Sequence, residues 1–174
     1  MSINAMPDRP GESWFALQVM PRHEVRVANA LEYKGCVSFL PVRRVKRKWT
    51  DRVKVIEVPL FPTYLFCQMN SANTATVYST PGVRRVVGLG AKPSSIPDHE
   101  IESLQILVRS RAETVPVSYM SSGQKVQVLD GPLAGLKGIV VRPANHHRLI
   151  VSVNLIMRSV MVDISASSVV AVSG

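Results

Sequence analysis

Apolar and polar positions along the chain follow two periods in turn, and the order in which they do so predicts a mixed α and β chain. Trp14–Val19 (Trp-Phe-Ala-Leu-Gln-Val) reads as a strand, and Pro21 ends it and can open a helix. Over Arg22–Lys34, Val25, Ala28 and Leu31 fall at helical spacing, with Arg22, Arg26, Asn29 and Glu32 elsewhere, and Gly35 suits the stop. Cys36–Val42 is expected as a second strand. The stretch Glu57–Met69 is the one the chain is organised around. Pro59 and Pro62 remove two amide donors and fix φ, so this part is neither a central strand nor a helix interior. Tyr64, Leu65, Phe66 and Cys67 then suit a strand. Alternation puts Tyr64 and Phe66 on one face and Leu65 and Cys67 on the other, so the strand needs cover on both sides. Two readings of its rings stay open: they are plain core, or they edge a patch, with Phe61, that a partner covers.

Beyond this strand, Ser71–Ser79 predicts a brief helix, Thr80-Pro81-Gly82 a turn and Val83–Leu89 a further strand. Ile96-Pro97-Asp98 precedes a helix in which Asp98 caps and Glu100 and Glu102 favour the positive end. Ile101, Leu104, Ile106, Leu107 and Val108 form its apolar face. Arg111–Ser122 loses the pattern and reads as a linker that lets two domains reorient. In Gly123–Val141, Lys125–Leu129 alternates as a strand, Asp130-Gly131-Pro132 turns, and Gly135 and Gly138 allow a bend into a second strand. His147–Val153, Ser159–Ile164 and Val169–Val172 supply three more. The domains read as 1–12 tail, 13–110, 111–122 linker and 123–174.

Charge changes the picture at one place above all. Arg43, Arg44, Lys46, Arg47, Lys48, Arg52 and Lys54 are opposed only by Asp51, and Val45, Val53 and Val55 alternate with them. This predicts a two-stranded hairpin around Trp49–Arg52. It suits a nucleic-acid backbone, with Trp49 stacking on an unpaired base; a solvated hairpin with a packed Trp is the bland alternative. The whole chain, 174 residues, carries a formal charge of +9, which predicts attraction to phosphate. Cys36 and Cys67 lack metal or disulfide spacing and read as buried reduced thiols. His146 and His147 are adjacent, whereas ligands on one strand face need a spacing of two. No catalytic constellation, phosphate loop or metal set stands out, so an enzyme is not expected, nor any cofactor. No apolar run approaches a membrane span, and the first residues lack a signal-peptide core, so a cytoplasmic, monomeric protein is expected.

Leu60-Phe61-Pro62-Thr63-Tyr64-Leu65-Phe66 resembles the Phe-Pro-Gly-Tyr segment of the NusG family of transcription elongation factors. Trp14-Phe15, Pro81-Gly82-Val83 and Lys92-Pro93 before Ile96-Pro97 resemble further markers of that family, in order. Gly123–Val141 resembles a KOW motif. The wording of Glu57–Phe66 and of Trp49-Thr50-Asp51-Arg52 is similar to specialised paralogues, the RfaH and UpxY-type antiterminators. The resemblance implies an α+β fold, a NusG N-terminal-type α/β sandwich with an antiparallel sheet, followed by a small SH3-like five-stranded barrel, the KOW domain. Val and Ile dominate that domain, so a barrel is expected rather than helices.

By the same resemblance, Phe61, Tyr64, Phe66, Leu89 and Ile101 match the family's apolar contact patch, which sits on the clamp region of RNA polymerase. Arg22, His23 and Arg26 match positions facing the non-template DNA strand. The hairpin cations and Arg84 and Arg85 add to that field, with nascent RNA as the other candidate. Ile156, Met157 and Arg158 match a loop that carries Phe-Gly in the family and contacts ribosomal protein S10 or Rho. Ile156 and Met157 are expected to be exposed there, and the departure from Phe-Gly puts Rho binding in doubt. The expected function is elongation or antitermination, with polymerase bound by the first domain and a second partner by the KOW domain. The alternative is a ribosome-associated RNA-binding KOW protein, and a third possibility is a scaffold acting through the KOW domain alone.

Overall fold

Residues 11–90, 92–120, 123–141, 147–165 and 169–172 are described by the computed structural model. Most of the expected tail (residues 1–10), residues 121 and 122 of the expected linker, and His146 lie outside them. In chain order the elements are β1 (Ser13–Val19), α1 (Glu24–Tyr33), β2 (Ser38–Phe39), β3 (Val42–Lys48), β4 (Val53–Pro59), β5 (Tyr64–Met69) and α2 (Thr74–Tyr78). Then come β6 (Val83–Val86), β7 (Gly88–Leu89), β8 (Lys92–Pro93), β9 (Ser95–Ile96) and α3 (Asp98–Ser110). The chain finishes with β10 (Thr114–Val117), β11 (Gln124–Val128), β12 (Lys137–Val141), β13 (His147–Val153), β14 (Arg158–Ile164) and β15 (Val169–Ala171). Contacts divide it into two compact units. The first joins Met1–Leu40 with Phe61–Asp98, and the second joins Pro41–Leu60 with His99–Gly174. The basic hairpin and most of α3 thus group with the C-terminal sheet, a division that the chain-order boundaries read from the sequence do not contain.

In the first unit an antiparallel sheet runs β2-β5-β1-β6, with β9 also pairing β1. Its central strand β5 is buried on both faces, as its composition required: Leu65, Phe66 and Cys67 have no exposed surface. On one face Leu17, Val19, Leu65, Cys67 and Met69 join Val27 and Leu31 of α1 and Val77 of α2 in one apolar cluster. The other face carries a run of rings, with Trp14 to Phe39 at 6.5 Å, Phe39 to Phe66 at 6.2 Å and Phe66 to Phe61 at 6.4 Å between centroids. Both cysteines are buried and outside any disulfide, and burial pushes the Cys67 thiol up to about 12. The inward stripe of α1 is Glu24, Val27, Ala28 and Leu31, whereas Val25, expected inside, is exposed. The helix starts at Glu24, and a stripe at 24, 27, 28 and 31 follows the 3.6-residue period more closely than 25, 28 and 31 does.

The turn before β5 is held from within the same unit. The buried Glu24 carboxylate accepts a hydrogen bond from the Thr63 amide at 2.8 Å. The Val19 amide donates to the Thr63 carbonyl at 2.9 Å. Thr63 adopts φ 68°, a left-handed conformation that a β-branched residue takes only under strain.

In the second unit β3 and β4 form an antiparallel hairpin in continuous register from Val42 opposite Pro59 to Lys48 opposite Val53. The other sheet runs β10-β14-β13-β12-β11-β15. It holds the five strands expected for the C-terminal part, and β10 is a sixth. That sixth strand lies in the stretch expected to be a linker, and Pro116 is tolerated because β10 is an edge strand pairing only with β14. Met120 is fastened too: its carbonyl accepts from Ser152 Oγ at 2.7 Å and its amide donates to Ser159 Oγ at 3.2 Å. Leu136, Leu149, Val153 and Val160 have no exposed surface and centre the core of this sheet. Gly138 is required in β12, because a Cβ there would collide with the Ile150 carbonyl oxygen of β13. The α3 side that faces inward is Ile101, Leu104 and Leu107, with Glu100 and Ser103.

Relief of the strain at Thr63 is testable. Thr63→Gly should raise stability by about 0.5–1 kcal/mol, the strain of about 1–2 kcal/mol less the entropy cost of glycine. The urea midpoint measures it, and an unchanged or lower midpoint would mean the turn is not strained.

Candidate nucleic-acid and partner-binding surfaces

The apolar set expected to dock a partner is largely inside. Phe61 is 2 %, Phe66 0 % and Ile101 1 % exposed, so these three form no open patch in this structure. Side-chain alternation hides this outcome, because it separates the two faces of a strand without saying which is covered. Tyr64 is half-buried, and Leu89, on the short β7–β8 ladder, is 79 % exposed. Phe61 and Phe66 pack edge to face, with centroids 6.4 Å apart, on either side of Tyr64 in sequence.

The cations expected to meet nucleic acid fall into two groups, one in each unit. In the first unit the opening of α1 meets the start of β6. The Met20 amide donates to the Gly82 carbonyl at 2.8 Å, and a Cβ on Gly82 would lie 3.2 Å from His23 Nδ1. This approach brings the exposed Arg22 and Arg26, with half-buried His23, near the strand that carries the exposed Arg84 and Arg85. Arg85 Nε donates to Gln18 Oε1 at 2.8 Å.

In the second unit the hairpin register sorts the charge run by face, because directly opposed residues share a side. One face carries Arg44 with Glu57, Lys46 with Val55 and Lys48 with Val53. Arg44 Nε lies 3.6 Å from Glu57 Oε1, an exposed pair that partly neutralises the root of this face. The other face carries Arg43 with Val58, Val45 with Ile56 and Arg47 with Lys54. Here Arg43, Val45, Ile56 and Val58 are half-buried, whereas Arg47 and Lys54 are exposed. The Trp49 amide donates to the Arg52 carbonyl at 2.7 Å, so the pairing extends one step past the strands, to a two-residue turn at Thr50-Asp51. Trp49 is 56 % exposed, against 6 % for Trp14. The packed-Trp reading of position 49 therefore does not hold.

The turn between β13 and β14 departs from expectation. Asn154–Ile156 form a 3₁₀ turn and Met157 takes a left-handed conformation, φ 50° and ψ 50°. Ile156, expected to be exposed, is 6 % exposed, because the tight turn folds its side chain inward; Met157 is 55 % exposed and Arg158 is exposed. Asn154 is a node that the pattern of the sequence did not signal. Its amide donates to Glu100 Oε2 at 3.2 Å, its Nδ2 donates to Glu100 Oε1 at 2.6 Å, and its Oδ1 accepts from the Tyr119 hydroxyl at 2.9 Å. Glu100, read from the sequence as a charge favouring the helix start, is a buried acceptor instead. Burial raises its pKa, and the Asn154 hydrogen bonds and nearby His99 partly offset this. A cleft of about 580 Å³ adjoins this node, lined among others by Glu100, Ser103, Lys125, Lys137, Ile139 and Ile150.

Among the described residues no group of His, Cys, Asp and Glu could hold a metal ion, and no helix is long and apolar enough to cross a membrane.

A family model described as transcription termination factor nusG matches residues 12–105. The transcription termination/antitermination protein NusG of Helicobacter pylori is 25% identical over 171 residues, covering 90% of this chain and 96% of the relative. Its Escherichia coli counterpart (strain CFT073) is 28% identical over 179 residues, covering 94% and 98%. A solved structure of Thermotoga maritima NusG matches with a TM-score of 0.52 at 22% identity, covering 93% of this chain and 98% of that one. That structural likeness supports a NusG-like mixed α/β fold with antiparallel sheets.

The Glu100 node has a pH signature. A carboxyl whose folded pKa is raised contributes stability that is full below its unfolded pKa and lost as pH rises through the folded value. The urea midpoint should therefore fall as pH rises through that window. Glu100→Gln does not titrate and keeps one oxygen to accept from Asn154, so it should remove this fall, although its NH2 then faces the second Asn154 donor. A variant whose midpoint still falls with pH as the parent's does would show that Glu100 is not the group responsible.

Proposed function

Because the chain belongs to the NusG family of transcription termination and antitermination factors, we propose that it binds RNA polymerase through its N-terminal part and suppresses pausing or termination. The single observation that carries this reading is the family match over residues 12–105, which spans β5, the basic hairpin and α1. Coverage of nine-tenths or more of the relatives' length supports a second, C-terminal function as well. In this reading the C-terminal sheet is the KOW domain, and it recruits a further partner, ribosomal protein S10 or Rho.

Docking on the clamp region of polymerase uses Tyr64 and Leu89, the members of the expected patch with accessible surface. Phe61 and Phe66, buried and packed on each other, support the turn and strand that carry Tyr64. A factor that binds closed, active polymerase better than paused states shifts the population toward elongation by its differential affinity. Arg22, His23, Arg26, Arg84 and Arg85 face the non-template strand, and the hairpin contacts DNA or nascent RNA. The second partner is met by Met157 and Arg158, since Ile156 is buried. The Glu57–Phe66 and Trp49–Arg52 wording, with Ile156-Met157 in place of Phe-Gly, supports a specialised antiterminator of the RfaH or UpxY type. Its place of action is the cytoplasm.

A second reading, a ribosome-associated RNA-binding KOW protein, is favoured by the burial of Phe61 and Phe66, since such a protein needs only the charge and the sheet. Polymerase capture separates the two. Tyr64→Ala with Leu89→Ser should weaken capture of RNA polymerase at least about tenfold, the loss expected from about 1.4 kcal/mol of interface energy. Phe66→Ala should instead cost about 3–5 kcal/mol of stability. Absence of capture by the parent protein, with ribosome binding intact, would select the second reading. Met157→Asp with Arg158→Glu should lower capture of S10 or Rho and leave polymerase capture unchanged; equal loss of both would refute modular binding.

A further inference from the structure

The hairpin's two faces are not equivalent, and we infer that the face bearing Trp49 is a binding surface for single-stranded nucleic acid, with Trp49 as the stacking platform and Arg47, Lys54 and Arg52 as its phosphate contacts. The inference rests on the reading of the hairpin as a nucleic-acid contact and deepens it by naming the face and the strandedness.

The register carries the assignment. Arg47 lies directly opposite Lys54, and Lys48 opposite Val53. The Trp49-to-Arg52 hydrogen bond adds the next pair, and alternation returns that pair to the side of Arg47 and Lys54. The outer half of this face is thus one ring among three cations, all exposed. Its inner half is the half-buried set Arg43, Val45, Ile56 and Val58, so contact with a ligand is confined to the tip.

The opposite face has Lys46 and Lys48 with Val53 and Val55, all exposed, and no ring. It has attraction for phosphate but nothing on which a base can stack. Stacking is what separates strandedness: a single strand offers the faces of its bases to an aromatic ring, while a duplex hides them inside its own stack. Nearby cations then follow the backbone without needing a sequence. Arg52 Nε is 4.0 Å from Asp51 Oδ1, but this pair is exposed and long, and so leaves the guanidinium available. Arg47 and Lys48 are neighbours along the chain, and the pleat puts them on opposite sides.

The test uses the full chain, a 15-nucleotide oligo-dT and a 15-base-pair duplex, each fluorescein-labelled for anisotropy and unlabelled for tryptophan quenching. Trp14 is buried, so quenching reports Trp49. Oligo-dT should quench and bind, and the duplex should bind more weakly and leave the emission unchanged. Arg47→Glu with Lys54→Glu should lower oligo-dT affinity at least about tenfold and flatten its salt dependence. Lys46→Glu with Lys48→Glu makes the same change in net charge and should cost less than about threefold, the residue of general electrostatics. Trp49→Ala should weaken oligo-dT binding by about fivefold or more, in line with about 1–3 kcal/mol per stacked base. Equal loss from the two charge reversals, or duplex binding as tight as oligo-dT, would overturn the inference. Polymerase capture by the same variants is the separating control. Face-specific oligo-dT binding without polymerase capture by the parent protein would sink the polymerase reading alone, and retained capture with equal charge effects would sink the inference alone.

Discussion

The constraint on which the first unit depends is that β5 must be covered on both faces at once. Leu65 and Cys67 join the cluster under α1 and α2, while Phe66 sits among the rings of Trp14, Phe39 and Phe61. Fully burying side chains of this size contributes roughly 1.5–3 kcal/mol each, so β5 is costly to expose. The turn before it is correspondingly over-determined. The Glu24 carboxylate takes the Thr63 amide, and the Thr63 carbonyl takes the Val19 amide, which together hold a β-branched residue in a left-handed conformation. A buried carboxylate thereby joins helix α1 to the start of the central strand, and the position of Tyr64 follows from it.

The pleat of a two-stranded ribbon does for charge what burial does for apolar groups. Seven cations close together in sequence repel one another, and alternation divides them between two sides while valines and isoleucine fill the intervening places. At the root, one side packs and the other is partly neutralised by Glu57. At the tip both sides stay charged, and only one of them carries a ring. The first unit gathers its own cations differently, by the close approach of Gly82 to His23, which sets the first turn of α1 beside β6. In both places a long-range electrostatic field, which needs only net charge, is given a local shape by hydrogen-bonded backbone.

Polar groups organise the β13–β14 turn of the second unit. Asn154 uses its amide, its Nδ2 and its Oδ1 at once, toward Glu100 and Tyr119, and Ser152 and Ser159 hold Met120. Burying a carboxylate is unfavourable unless its oxygens are satisfied, and two donors from one asparagine meet most of that need. With the turn so held, Ile156 lies inside and Met157 is left to solvent. The solvent-facing chemistry of this turn is therefore carried by a thioether and a guanidinium.

Local chemistry determined much of this protein before any tertiary contact is considered. The two-faced strand at Tyr64–Met69, the hairpin around Trp49–Arg52, the turns at Pro81-Gly82 and Asp130-Gly131-Pro132, and the five C-terminal strands all follow from period, proline and glycine, which act over a few residues. Tertiary structure decided which of the apolar groups stay visible. Phe61, Phe66 and Ile101 carry the same signal as Leu89 in sequence, and only packing separates 0–2 % from 79 % exposure. It also turned Thr114–Val117 from connecting chain into an edge strand, since β14 offers unpaired backbone there. Glu100 became an acceptor for a residue 54 positions away. Such outcomes depend on which surfaces meet across long stretches of chain, and neither periodicity nor charge along the sequence encodes that meeting.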